Sequence, residues 1–78
     1  MRILIVEDDS RLLTQLDILL QKNGYSVDLA DDGAKALFLL QEHTYDLAII
    51  DIGLPVVDGF EVIQKARKND VSCPILIL

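Results

Sequence analysis

The sequence predicts an α/β domain in which four parallel strands alternate with three helices, in the order βαβαβαβ, with helices on both faces of the sheet. Three observations predict it. Short apolar runs alternate with longer stretches of helical period along all 78 residues. Several of the runs are apolar at every position, as in strands buried on both faces. Gly, Asn, Asp and Pro punctuate the junctions, and each helical stretch is long enough to carry the right-handed crossover that parallel neighbours require.

Ile3-Leu4-Ile5-Val6 is the first strand. Acidic residues and Ser10 follow, and Leu12, Leu16, Leu19 and Leu20 then fall on one side of a helix, with Leu13 widening the stripe. Asp8, Asp9 or Ser10 is placed to cap this helix, and Asn23-Gly24 supplies its stop. Tyr25 to Ala30 alternates apolar with polar residues, which predicts a more exposed strand near a sheet edge. Asp31-Asp32-Gly33 turns the chain into a second helix, with Ala34, Leu37, Leu40 and Phe38 expected inward. Tyr45 to Ile50 is a third strand, central because Leu47-Ala48-Ile49-Ile50 is wholly apolar. Asp51 to Gly59 is a loop punctuated by Gly53, Pro55 and Gly59. The third helix carries Phe60, Ile63 and Ala66 at the inward spacing, and its basic last turn suits the negative end of the helix dipole.

Pro74 to Leu78 is expected to be a fourth buried strand, and the sequence stops inside it. Such a strand without a following helix leaves a bare edge and an uncovered face. An unpartnered apolar surface of about 400 to 600 Å² forgoes on the order of 10 to 15 kcal/mol, the whole stability of a typical domain. The expectation is therefore a fragment spanning residues 1–78, or a layer covered by another copy in a homo-oligomer or exchanged assembly.

Composition narrows the function classes. Seven Lys and Arg stand against 13 Asp and Glu, a formal net charge of −6, which argues against a grip on a phosphate backbone. Apolar residues make up 51% of the chain, too many for a disordered segment. No apolar run approaches the roughly 20 residues of a membrane span. The N-terminus has no small-residue cleavage site, so it does not read as a signal peptide. A single cysteine, Cys73, excludes an internal disulfide and fits a reducing, cytoplasmic setting.

In an open parallel sheet, ligands collect beyond the carboxyl ends of the strands. Glu7 and Asp8 follow the first strand and Asp51 follows the third, so three carboxylates converge if those strands are neighbours. Two unit charges about 4 Å apart repel by roughly 4 kcal/mol at an effective dielectric of 20, which calls for a cation, a proton or wide separation. Oxygen donors favour a hard ion such as Mg2+. The residues alone leave a second reading open, in which these acids are helix caps and solvated turn residues.

Ile3 to Asp9, Asp31-Asp32-Gly33, Tyr45 to Pro55 and Asp58-Gly59 resemble, in order and spacing, the receiver domain of bacterial two-component response regulators. The resemblance runs over all 78 residues and is most similar to the OmpR/PhoB-type transcription factors. It implies a flavodoxin-like doubly wound sheet of strand order 2-1-3-4, without the fifth strand and last two helices. It implies that Asp51 accepts a phosphoryl group from a sensor histidine kinase. It also implies Mg2+ held by Asp8, Asp51 and the backbone carbonyl of Gly53, with Glu7 acting through water. DNA binding would belong to a C-terminal domain that this sequence does not contain. Receivers carry a Thr or Ser immediately after the fourth strand and a Lys after the fifth. Neither position falls within these residues, so the chain is expected to bind Mg2+ weakly and not to complete the switch.

Other residues carry plainer readings. His43 reads as a surface or helix-end residue rather than a metal ligand, Asp9 as a cap, and Cys73 as a half-buried strand-entry residue. Lys65, Arg67 and Lys68 form a solvated helix end, too small for nucleic-acid binding. Two alternatives compete with the signalling module. One is a self-associating structural fragment. The other is a Mg2+-dependent phosphohydrolase with an Asp nucleophile, disfavoured because Gly53 stands where such enzymes place a second Asp.

Overall fold

β1 (Arg2–Val6), β2 (Ser26–Ala30), β3 (Leu47–Ile50) and β4 (Ile75–Ile77) form one parallel sheet in the order β2-β1-β3-β4. α1 (Ser10–Lys22), α2 (Gly33–Glu42) and α3 (Gly59–Lys68) connect them. The computed structural model describes residues 1–54 and 57–78, so the Pro55 part of the predicted loop lies outside the described residues. The alternation and the strand order are those expected.

Strand side chains alternate between faces, which explains why β1 and β3 are apolar at successive positions. Leu4, Val6, Ala48 and Ile50 face one side, against Ala36 and Leu40 of α2 and Val62 and Ala66 of α3. Ile3, Ile5 and Ile49 face the other, against Leu13 of α1 with Leu16 and Leu20 packed alongside. Each fully buried Val, Leu or Ile contributes about 1.5 to 3 kcal/mol relative to exposure, so the two central strands carry much of the stability. β2 lies at the edge, as its mixed pattern predicted.

Each helix starts on an aspartate. Asp9 Oδ1 accepts from the N–H groups of Arg11 and Leu12 at 3.0 and 3.3 Å, Asp32 from Lys35 at 2.8 Å, and Asp58 from Glu61 at 2.9 Å. These bonds satisfy amides that have no partner inside a helix. α1 ends at Asn23, and Gly24 follows at φ 88°, a conformation that favours glycine.

The helices are rotated from the expected faces. In α1 the sheet-facing set is Leu13, Leu16 and Leu20, while Leu12 and Leu19 point outward. In α2 it is Ala36, Leu37 and Leu40; Ala34 is exposed and Phe38 is 62% exposed. In α3, Gly59, Val62 and Ala66 are buried and Ile63 is half-buried, whereas Phe60 is 59% exposed. The reason is steric. Ala36, Ala66 and Gly59 allow α2 and α3 to lie close to the sheet, and a phenylalanine on that face would hold them away. β4 is shorter than the expected Pro74 to Leu78, and it has the uncovered face expected of it: Ile75 packs against the core, but Leu76, Ile77 and Leu78 are about half exposed because no described element covers them.

Toward the amino-terminal end of the sheet, Asp28 of β2 ties together β1 and the segment that leads into β3. It accepts from Arg2 Nε and Nη2 at 3.1 and 2.8 Å and from the Tyr45 hydroxyl at 2.7 Å. The Tyr45 bond chiefly, and then Arg2, hold the Asp28 carboxyl below its usual value of 3.8 against the opposing effect of burial. A carboxyl with a depressed folded-state pKa stabilises the protein above about pH 3.8, and that contribution is lost as pH falls through the folded value. Tyr45→Phe should destabilise the fold by about 1.5 kcal/mol, the low end for a hydrogen bond to a charged group because Asp28 stays partly solvated. It should also move Asp28 titration back toward 3.8. Denaturant unfolding and a carboxyl-detected NMR titration check both outcomes.

Candidate functional site

The sheet register assembles the acidic site. β1 and β3 are adjacent, with Val6 paired to Ile50, so the residues that follow them emerge side by side at the carboxyl edge. The Asp51 N–H donates to the Val6 carbonyl at 3.0 Å, and the Glu7 N–H donates to the Ala30 carbonyl of β2 at 3.0 Å. Both bonds extend the strand ladders by one step, which fixes the two backbones before any side chain is considered. One carboxylate oxygen from each of Glu7, Asp8 and Asp51 lies within 4.8 Å of the other two. The convergence expected of these three residues is therefore present.

Their environments differ. Glu7 is 4% exposed, Asp51 is half-buried and Asp8 is exposed. Glu7 Oε1 accepts from the Asp9 N–H at 3.1 Å. Burial raises the Glu7 pKa above its ordinary 4.5, the Asp9 amide pulls it back, and the nearby Asp51 and Asp8 carboxyls push it up again. Asp51 Oδ1 accepts the Gly53 N–H at 3.0 Å, a local turn that orients the carboxylate. Gly53 is exposed and two residues beyond Asp51, in the same loop. A Cβ there would meet Asp51 Oδ1 at an ordinary 3.5 Å, so the position tolerates a side chain. Asp9 is committed to capping α1 and stands apart from the cluster.

Several residues lie elsewhere. His43 ends α2 and meets Tyr45 edge-on at 6.3 Å. Cys73 is half-buried, and burial pushes its thiol pKa up despite the Arg67 charge. Both line an open groove of about 330 Å³ at the far ends of α2 and α3, away from the acids. Sequence reasoning missed two features of the site. Leu54 is buried and anchors the loop after Asp51 to the core. Gly33 and Gly59 make close backbone approaches to that loop, and the only sequence signal for them was an Asp-Gly pair at two helix starts.

The response regulator receiver domain family matches residues 3–78. The chain belongs to that family. It is 46% identical over 78 residues to the virulence transcriptional regulatory protein PhoP of Salmonella typhimurium, covering 100% of this chain and 35% of PhoP. The chain thus spans about a third of the length of the curated relatives it matches. Among solved structures it resembles the response regulator TrrA of Thermotoga maritima in complex with Mg2+-BeF, with a TM-score of 0.90 and 37% identity, covering 97% of this chain and 66% of that one. It also resembles the receiver domain of the sensor histidine kinase PA1611 of Pseudomonas aeruginosa, which has a magnesium ion in its active-site cleft. The TM-score there is 0.93 at 32% identity, with 97% of this chain and 64% of that one covered. The receiver fold of these neighbours, with parallel strands in the order 2-1-3-4, is the fold described above.

The donor set of this receiver suits a hard divalent cation: carboxylate oxygens only, one of them buried among like charges and short of a positive partner within the cluster. Without a cation, ionising Glu7 opposes folding. Because its folded pKa is raised, its contribution is fully present below 4.5 and is lost as pH rises through the folded value. Glu7→Gln keeps the oxygen that accepts from Asp9 and removes that loss. In metal-free buffer at pH 7 the variant should be more stable than the wild type, and the difference should shrink as pH falls and vanish below 4.5. Urea unfolding across the pH range checks it.

Proposed function

We propose that this chain is the phosphoacceptor segment of a response regulator that controls transcription, with Asp51 taking a phosphoryl group from a phosphohistidine on a sensor histidine kinase. Mg2+ would be held by Asp8, Asp51 and the Gly53 backbone carbonyl, with Glu7 acting through water. The observation that carries this reading is the meeting of the Glu7, Asp8 and Asp51 carboxylates beyond β1 and β3. Contact with DNA is assigned to a domain outside these residues, in keeping with the net charge of −6. The setting is assigned to the cytoplasm, and the role to a signalling module rather than a turnover enzyme.

The residues divide the work simply. Asp51 is the nucleophile: one carboxylate oxygen forms the new O–P bond as the N–P bond to the kinase imidazole breaks, and the imidazole takes up a proton. The Gly53 N–H holds the other oxygen at 3.0 Å, which orients the carboxylate for in-line approach. Half-burial leaves Asp51 reachable from solvent. Asp8 and Glu7 supply negative charge on the neighbouring strand end. When bound, the cation neutralises charge on the transferring phosphoryl oxygens.

The half-exposed apolar residues Leu76, Ile77 and Leu78 beside the open edge of β4 favour a second reading, self-association through that edge. Sedimentation that stays monomeric at all concentrations would remove it.

Incubation with acetyl phosphate and Mg2+ should add the mass of one phosphoryl group to the wild type and none to Asp51→Asn. Asp8→Asn should slow labelling by about 100-fold. Mg2+ at about 100 times its dissociation constant should stabilise the wild type by roughly 2.7 kcal/mol, and this gain should be absent in Asp8→Asn. Labelling of Asp51→Asn at the wild-type rate would refute the assignment.

A further inference from the structure

We propose that Gly33 and Gly59 are positioning residues whose missing side chains let the amino ends of α2 and α3 seat against the segment that follows β3, Gly59 on the Asp51–Ile52 backbone and Gly33 on Val57, and so hold Asp51 in place for metal and phosphoryl binding. The inference rests on the functional reading above and extends it to residues that touch neither the metal nor the phosphoryl group.

Residues 51–58 join β3 to α3, and the two glycines approach this segment near its two ends. A Cβ at Gly59 would stand 2.5 Å from Ile52 Cα, 2.6 Å from the Asp51 carbonyl oxygen and 3.0 Å from the Asp51 carbonyl carbon. All three are backbone atoms, so no side chain can swing aside. The Gly59 N–H also donates to the Ile52 carbonyl at 3.2 Å, which closes the loop on itself at the same point. A Cβ at Gly33 would stand 2.6 Å from the Val57 carbonyl oxygen and 2.9 Å from Val57 Cβ and Cγ1.

Conformation does not explain these glycines. Among the described glycines only Gly24 has a positive φ, and a Cβ there meets nothing within 4 Å. Gly53 has ordinary space around it. Gly33 and Gly59 are instead buried first residues of their helices, each pressed on the loop that bears the nucleophile. A methyl group at Gly59 must displace the Asp51–Ile52 backbone, the stretch that carries the Asp51 side chain and leads to the Gly53 carbonyl. A displacement of about 1 Å at a reacting group is enough to slow chemistry by around 100-fold.

The test compares Gly59→Ala and Gly33→Ala with Ala66→Gly, which weakens the far end of α3 without touching the loop. Three readouts are taken: Mg2+ affinity by calorimetry, backbone amide NMR shifts of Asp51 to Gly53 in metal-free protein, and unfolding by urea. The glycine variants should bind Mg2+ at least about tenfold more weakly and shift the loop amides, while Ala66→Gly, though less stable, stays within about twofold of wild type. If Gly59→Ala fails to fold, Gly33→Ala decides the matter by the same criteria. Unchanged Mg2+ affinity and loop shifts in the folded glycine variants would overturn the inference and leave the functional reading standing. So would a loss in Ala66→Gly equal to theirs, because the loss would then follow stability alone. No Mg2+ binding by the wild type would bring down the functional reading itself, and the inference with it.

Discussion

Val6 of β1 stands opposite Ile50 of β3 in a parallel pair, and the geometry of the acidic site descends from that register. The next residue on each strand is acidic, so the pairing alone delivers Glu7 and Asp51 to one edge, with Asp8 beside them. A slip of one residue would turn every side chain of a strand to the opposite face. Here both faces are buried, by α2 and α3 on one side and α1 on the other, so a slipped register would break two sets of contacts at once. The core thus does more than stabilise the domain. It sets the positions of three charges that repel one another.

That repulsion is a local conflict the rest of the fold has to absorb. Glu7 is buried among other carboxylates, and its raised pKa records the strain of keeping negative charge there. At the other edge of the same sheet, Asp28 has the reverse arrangement, with Arg2 and Tyr45 as partners and a lowered pKa. One carboxylate is satisfied by the protein and serves structure. The other, Glu7, has a single backbone amide donor, from Asp9, against two neighbouring carboxylates, and suits a cation. Conflict of this kind at one edge of an otherwise consistent sequence is what a functional site looks like in energetic terms.

The legible parts of the fold were those governed by local pattern. Strand runs, helix stretches and the Asp9 cap follow from residue type and spacing and appear where the pattern puts them, while Asp32 and Asp58, legible only as turn residues ahead of their helices, prove to be the other two caps. The site was legible because acids directly follow two strands that the resemblance made neighbours. The helix rotations were not legible. α1 carries more leucines than one stripe can bury, so the pattern permits several faces, and Phe38 and Phe60 look like core residues until the helices must lie close to the sheet. Local sequence ranks residues by hydrophobicity, whereas close packing selects by shape, and small residues won both positions.

The sequence by itself determined the alternating α/β order, the buried character of the central strands and the acids at the strand ends, because each depends on neighbours along the chain. Only the tertiary structure decided which helix faces meet the sheet, that Glu7 is buried, and that Gly33 and Gly59 lie against the loop of Asp51. Those outcomes depend on distances between segments far apart in the chain. They are settled by steric fit and desolvation, which no local pattern encodes.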